Sequence, residues 1–434
     1  MRQLINDGWY FKEYGKETPV KDVFDELCEV ADSLLPVTVP HDWMISDVKD
    51  LYRSSVGVYT RKLSLDTSRL SSVYFEGVNA FVSSKDYYVS VGSNNDNDNH
   101  YEKAKVSMYN DKREKNYEKL YNVGYNSSFF GVVLDGDNSV AVGSYEKDED
   151  DHNNSIRRAL IVKYDNEGNI IFEKDFSILD NSKFTSIVHV GDFYYVTGQS
   201  IYKNTRVGNR SGGAILAKFN QEGELIWYKT YGSSKSAIYN DLLVTNDSIY
   251  TVGTDNNYLG VLVQYDLDGN FITYNDYKTT DSLGFSGIVA NDQFIYISGA
   301  LRRENDNNDA MIVRYNYHCV YIDQVVYTGQ GIERFNKLIV DDQDHIVAIG
   351  TMATAQEEGG IDEYNYDGII AKYDRELKYI DATSYGADRD DYFTDILFDN
   401  GEYVVVGYSF YDNGSYMSKF IRYSKALKVL GVLS

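Results

Sequence analysis

The 434-residue chain holds two cysteines, three prolines and no run of 18 apolar residues. Cys28 and Cys319 lie far apart in dissimilar contexts. They exclude a disulfide framework, and two free thiols suit a reducing compartment as well as any other. Without a long apolar run, no membrane-spanning helix is expected. The opening "MRQLINDGWYFKEYGKE" lacks an apolar core behind Arg2, so no secretory signal is expected. The expected location is cytoplasmic, with an extracellular or cell-surface location as the alternative if a signal was lost. Basic residues are also scarce, 42 against 66 acidic ones, for a net charge of −24. That surface repels phosphate backbones and anionic bilayers, which argues against nucleic acid as a partner, and its simplest role is solubility. No His-Glu-x-x-His, Gly-x-Ser-x-Gly, Gly-rich phosphate loop or Cys-x-x-Cys occurs, and the six histidines form no tight pair. Zinc and the common nucleophile motifs are therefore not expected.

What is abundant is tyrosine, 41 residues of it, together with many Val and Ile, the composition of a strand-rich chain. All three prolines fall in the first 40 residues, which marks a change of character early in the chain. Beyond that point one unit repeats seven times. A strand ending in glycine recurs as "YYVSVGS", "SVAVGSY", "YYVTGQS", "IYTVGTD", "IYISGAL", "IVAIGTM" and "YVVVGYS", with Gly92, Gly143, Gly198, Gly253, Gly299, Gly350 and Gly407 spaced 46 to 57 residues apart. A second strand follows each, ending at Tyr109, Tyr164, Phe219, Tyr265, Tyr315, Tyr373 or Tyr423. A turn such as "NEGN", "QEGE" or "LDGN" leads to another strand, and a further strand opens the unit. Asn166–Glu167 in "YDNEGN" superficially resembles a glycosidase acid pair, but its equivalents "NQEG" and "DLDG" identify turn chemistry.

Four short strands per unit of about 50 residues cannot bury both faces of their own sheet. Radial stacking covers those faces, so the pattern predicts an all-β, seven-bladed propeller. The expected blades are roughly residues 74–125, 126–181, 182–235, 236–281, 282–330, 331–388 and 389–434. The recurring glycine is expected to permit a close approach that a Cβ would block. The paired aromatic residue is expected to pack between blades. "GGAILAKFNQEGELIWYKTYGSSKSAIYNDLLVTNDSIYTVG" and "DGIIAKYDRELKYIDATSYGADRDDYFTDILFDNGEYVVVGYS" resemble the bacterial seven-bladed propeller repeat family across residues 74–434. The first and fifth units diverge most; "NYHCVYIDQVVY" lacks the turn glycine. The resemblance implies a scaffold or binding platform rather than one activity, with a carbohydrate or protein ligand on a propeller face.

The connections between second and third strands are rich in Asp and Asn, and all belong on one side of the disc. Asp96, Asp98, Asp148, Asp150, Asp306 and Asp309 are candidate calcium ligands because hard cations take several oxygens. None of these loops has the order of a dedicated calcium loop, and solvated connections are the competing reading. No other cofactor is expected.

Ahead of the repeats, "LINDGWYFKEYG", "PVTVPHDWMISD", "GVYTRKLSLD" and "SSVYFEGV" occur in that order. They resemble the start of glycoside hydrolase family 2, the β-galactosidase and β-glucuronidase group, whose sugar-binding domain is a jelly-roll β-sandwich. The resemblance implies a partial, truncated jelly-roll-like segment over residues 1–78, followed by the propeller over 79–434. By motif position it implies carbohydrate contacts at His41, Asp42, Trp43 and Arg53, the indole stacking on a sugar face and the Asp and Arg binding hydroxyls. The competing reading is a buried turn with Trp43 and Trp9 in its core. The family's catalytic barrel, with its two carboxylates, has no room in the remaining sequence. The reading is therefore a non-catalytic propeller that binds a ligand. The alternative is a component of a family 2 carbohydrate-degrading system, with hydrolysis supplied elsewhere.

Overall fold

In the computed structural model, residues 77–434 are described except 97–100, 111–113, 122, 148–155, 180, 202–211, 233–236, 256, 258, 278–281, 303–307, 330, 356–363, 387–389, 411–415 and 434; before residue 77, only the backbone of three strands is described. The chain divides into two units, Met1–Leu70 and Ser71–Ser434. In the first, Trp9–Gly15 pairs antiparallel with Leu35–Val37 on one side and Ser55–Arg61 on the other. The jelly-roll assignment rests on residues outside the described ones.

The second unit is all-β, with no helix among the described residues. Seven four-stranded antiparallel sheets follow one another in sequence. Blade 1 is built from Val78–Ser83, Tyr87–Asp96, Tyr101–Asn110 and Lys115–Leu120. Blade 2 takes Tyr125–Asp135, Asn138–Lys147, Ile156–Tyr164 and Ile170–Phe176, and blade 3 takes Asn181–Val190, Phe193–Ile201, Gly212–Asn220 and Leu225–Tyr231. Blade 4 comprises Ile238–Val244, Ser248–Thr254, Gly260–Asp266 and Phe271–Asp276, and blade 5 comprises Ser282–Ala290, Ile295–Arg302, Asn308–Tyr315 and Tyr321–Tyr327. Arg334–Val340, Ile346–Ala355, Tyr364–Tyr373 and Tyr379–Tyr385 form blade 6; Asp391–Asp399, Glu402–Phe410, Tyr416–Ser424 and Val429–Leu433 form blade 7. The first strand of each blade touches the first strand of the next, and blade 7 touches blade 1, so the first strands form the inner ring.

Burial follows from this order. The second and third strands are covered on both faces, so "LIVKY" and "AILAKF" are continuous apolar runs rather than alternating ones. Their neighbouring residues serve different interfaces: Leu160 and Val162 pack toward blade 1, Ala159 and Ile161 toward blade 3. Seven apolar clusters result, one per interface. The repeated third-strand aromatics, Tyr109 through Tyr423, are at most 3% exposed. Fourth strands form the rim.

Each repeated glycine sits beneath a carbonyl of its own first strand. A Cβ at Gly143, Gly198, Gly253, Gly350 or Gly407 would collide with the carbonyl oxygen of Ser128, Lys183, Ile238, Arg334 or Tyr392 respectively. The turn between third and fourth strands explains where glycine is dispensable. Gly168, Gly223 and Gly269 adopt φ of +79°, +75° and +75°, and Cys319, Leu377 and Leu427 take the same place at +58°, +58° and +51°. A Cβ on the first three would meet Tyr117, Phe172 or Trp227 of the preceding blade. Blades 4 to 6 carry Thr273, Asp323 and Asp381 at that strand position, and there the turn residue has a side chain. Cys319 is buried among the residues between blades 4 and 5, and burial pushes its thiol up to about 12.

No blade mixes strands from the two ends of the propeller, so side chains and not a shared sheet close the ring. Across blades 7 and 1, the Tyr88 hydroxyl donates to Asp399 (2.7 Å), and the Thr394 hydroxyl to the Val78 carbonyl (3.0 Å). The Val78 N–H donates to Ser418 Oγ (3.1 Å), and Phe420 meets Phe81 and Tyr88 edge-on. The Asp–Tyr clasp recurs as Asp135–Tyr194 and Asp341–Tyr403.

Gly407→Ala should lower the unfolding free energy by about 2–4 kcal/mol, the range of severe single substitutions. Gly431→Ala, where a Cβ meets nothing within 4 Å, should change it by less than about 1 kcal/mol. Urea denaturation of both variants decides; equal effects would contradict the close-contact account.

Candidate functional site: the axial channel

The inner strands share one irregularity. Each has a register shift at the same place, and the skipped residue is Asn79, Phe130, Thr185, Asn240, Ser286, Asn336 or Thr394. Such a β-bulge leaves one residue out of the ladder and re-aims its side chain. All seven are partly exposed, while the aromatic or Val before each is buried. Partial exposure on strands enclosed by a ring of blades marks a solvent-accessible axis. Five of the seven reach to the next blade and donate to the carbonyl before its bulge. These bonds run from Asn79 to Phe129 (2.7 Å), Thr185 to Tyr239 (2.6 Å), Asn240 to Phe285 (2.6 Å), Asn336 to Phe393 (2.9 Å) and Thr394 to Val78 (3.0 Å).

The residue after the bulge is Ala80, Gly131, Ser186, Asp241, Gly287, Lys337 or Asp395 in the successive blades. The scaffold tolerates small residues here, yet blades 4, 6 and 7 place charges. Lys337 Nζ reaches past Gly287 of blade 5 to Asp241 Oδ2, 2.8 Å away, and the Lys337 side chain is 33% exposed. Asp241 also accepts from Ser186 Oγ (2.7 Å) and from the Ile288 N–H of the next blade (3.2 Å). Asp395 accepts from the Phe81 N–H (3.0 Å) and the Ile396 N–H (2.9 Å). Burial pushes the Asp395 carboxyl up to about 6; Lys337 and the two N–H groups oppose the rise and Asp241 adds to it.

One residue before the buried aromatic, toward the connections between second and third strands, stand Lys183 in blade 3 and Arg334 in blade 6. Arg334 donates from Nε (3.1 Å) and Nη2 (2.8 Å) to Ser286 Oγ. Desolvation lowers the proton affinity of both cations, and Arg157 adds repulsion at Lys183. Tyr392 holds the same position in blade 7, its ring stacked between Tyr366 (5.8 Å) and Tyr408 (5.2 Å).

Buried carboxylates also line two blade interfaces. Asp391 is paired with Lys419 at 3.1 Å, and burial together with Asp391 raises the Asp367 carboxyl. Glu333, fully buried, accepts from the Gly331 N–H at 3.1 Å.

Of the residues singled out by sequence, His41, Asp42, Trp43 and Arg53 lie outside the described residues, as do Asp98, Asp148, Asp150 and Asp306. Asp96 ends a strand whose backbone alone is described there. Asp309 is 4% exposed within the third strand of blade 5 rather than in a connection, and Thr328 Oγ1 donates to it at 3.4 Å. Its burial in the blade wall corrects the placement expected for a loop ligand. Among the described residues no three His, Cys, Asp or Glu side chains gather to hold a metal. His189 bonds the Leu134 carbonyl (2.9 Å) and His345 pairs with Asp341 (3.1 Å), each at a blade interface. The axial residues were missed in sequence, although aligning the repeats on the buried aromatic would have exposed their column.

No protein-family model and no curated protein sequence matches the chain, so the glycoside hydrolase resemblance finds no support there. Solved structures do match. The propeller of the Trilobed protease from Pyrococcus furiosus, described as having an open velcro topology, aligns with TM-score 0.46 and 11% identity over 83% of this chain and 97% of that one. The Dos1 propeller aligns with TM-score 0.45 and 10% identity over 80% and 94%. A puromycin hydrolase mutant complexed with PGG aligns with TM-score 0.50 and 8% identity over 84% of this chain and 54% of that one. This chain spans about half of the hydrolase. At such identities the likeness shows the fold alone. The seven four-stranded sheets and their ring of neighbouring first strands make the second unit a seven-bladed β-propeller.

Two carboxylates of the propeller should act in opposite pH windows. Asp395 rises from the ordinary 3.8 to about 6, so its contribution is complete below pH 3.8 and lost as pH climbs through about 6. Asp341 is buried at an interface, yet the Tyr403 hydroxyl and the His345 and Gln343 N–H groups hold it at about 2. Its contribution is complete above pH 3.8 and lost as pH falls through about 2. Relative to Asp395→Asn, the native chain should lose stability between pH 4 and 7; relative to Asp341→Asn, it should lose stability between pH 4 and 2. Denaturant titrations across pH measure both, and flat differences would contradict the assignment.

Proposed function

We propose that this propeller is a non-catalytic binding platform whose axial channel holds a ligand. The observation that supports it is the charged set Asp241, Lys337 and Asp395, at a column that other blades fill with Ala, Gly and Ser. A polar group on an accessible axis, surrounded by rigid strands, offers oriented donors and acceptors with little reorganisation on binding. Among the described residues no imidazole is bonded to the Ser186–Asp241 pair, as a nucleophilic hydroxyl would require; the rings of His189 and His345 bond the Leu134 carbonyl and Asp341. The carbohydrate reading of the N-terminal segment rests on its sequence motif alone.

A thermal-shift screen of neutral and charged small molecules, sugars included, tests the platform. At least one compound should stabilise the chain without being consumed. Its effect should fall severalfold in the charge-neutral pair Asp241→Asn/Lys337→Met. Turnover of the compound, or undiminished binding by that variant, would overturn the reading.

A further inference from the structure

We propose that the axial channel takes a small amphipathic amine, its ammonium at the level of Asp241, Lys337 and Asp395 and its apolar part against an aliphatic collar beyond them. The inference deepens the platform reading and rests on it. The collar follows from register. After each bulge the ladder is regular, so the residue two places beyond the charged column lies on the same strand face, about 7 Å nearer the turn between first and second strands. That residue is aliphatic in every blade. Val188, Leu243, Ile339 and Leu397 follow Ser186, Asp241, Lys337 and Asp395, and Val82, Val133 and Val289 fill the place in the other three. Each packs against a different one of the seven interface clusters, and each keeps partial exposure. The Lys337–Asp241 bond runs from blade 6 to blade 4 past blade 5, so this strand face looks into the ring.

The polar level offers an acceptor for an ammonium. Asp241 already binds Lys337, the Ser186 hydroxyl and the Ile288 N–H. Among the described residues, Asp395 accepts one N–H at each oxygen, from Phe81 and from Ile396. A carboxylate has about four acceptor places, and an ammonium brings three donors. Burial disfavours the Asp395 charge, and a bound cation offsets that cost. The mouth beyond the collar has the matching sign. The turns between first and second strands are described in all seven blades, and those of blades 1 to 4 expose Asp86, Asp137, Asp192 and Asp247 with one cation, Lys85. In blades 5 and 6, Asp292 and Asp342 pair with Arg375 and Lys425. A negative mouth draws in a cation, and the collar takes its hydrocarbon out of water.

Isothermal titration with n-alkylammonium chlorides from methyl to hexyl, at neutral pH and about 0.15 M ionic strength to screen the acidic surface, tests the site. Affinity should rise about threefold with each added methylene. Hexylammonium should bind saturably, and hexanoate and 1-hexanol at least about tenfold more weakly. Asp395→Asn should weaken hexylammonium at least about tenfold, as expected for a lost charged hydrogen bond. Val188→Thr/Val289→Thr should flatten the rise with chain length. Thermal unfolding of each variant checks that the fold persists, and the series on the native chain decides without them. An affinity indifferent to chain length, equal binding of hexanoate, or undiminished binding by folded Asp395→Asn would overturn the amine site. Binding of an uncharged or anionic compound that falls in Asp241→Asn/Lys337→Met would leave the platform standing in that case.

Discussion

The propeller depends on one contact: a bulge in each inner strand against a glycine in the next. The extra residue bends the strand and brings a backbone carbonyl onto the second strand at a point where no Cβ fits. Glycine there is a steric requirement of the blade. Because all seven blades meet it, all seven inner strands bend alike. Their bulged residues then face the axis at one level, where Asn and Thr tie five of the seven blades to the next.

Those ties matter because no sheet is shared between the ends of the propeller. The apolar clusters lie between blades, so each blade is stable only through its neighbours, as expected of repeat architectures. At the join of blades 7 and 1, backbone and side-chain hydrogen bonds to Asp395, Asp399, Thr394 and Ser418 reinforce a smaller apolar cluster. Asp395 consequently does two things: it caps a backbone N–H of blade 1 and carries charge into the axis. Structure and candidate site share that residue.

The axial chemistry arises where the repeats differ. A scaffold position that accepts Ala or Gly is free to carry Asp or Lys, and the glycine in blade 5 gives Lys337 an unobstructed path to Asp241. The same logic governs the outer turns, where Gly faces an aromatic neighbour and Cys or Leu faces Thr or Asp.

Fold class, blade number, the close-packed glycines and the buried aromatic column were legible in the sequence, because each repeats seven times and follows from the strand period and the need to bury two faces. The fifth unit's missing turn glycine was visible too, but its cause was not, since Thr273 belongs to the preceding blade. The axial set was illegible for the same reason. Ser186, Asp241, Lys337 and Asp395 are dispersed over about two hundred residues and lie in no local motif. Ring closure alone brings these positions to a common axis, and desolvation by the surrounding blades raises the Asp395 carboxyl. Local periodicity determined the blade; only the closed ring decided what its centre can bind.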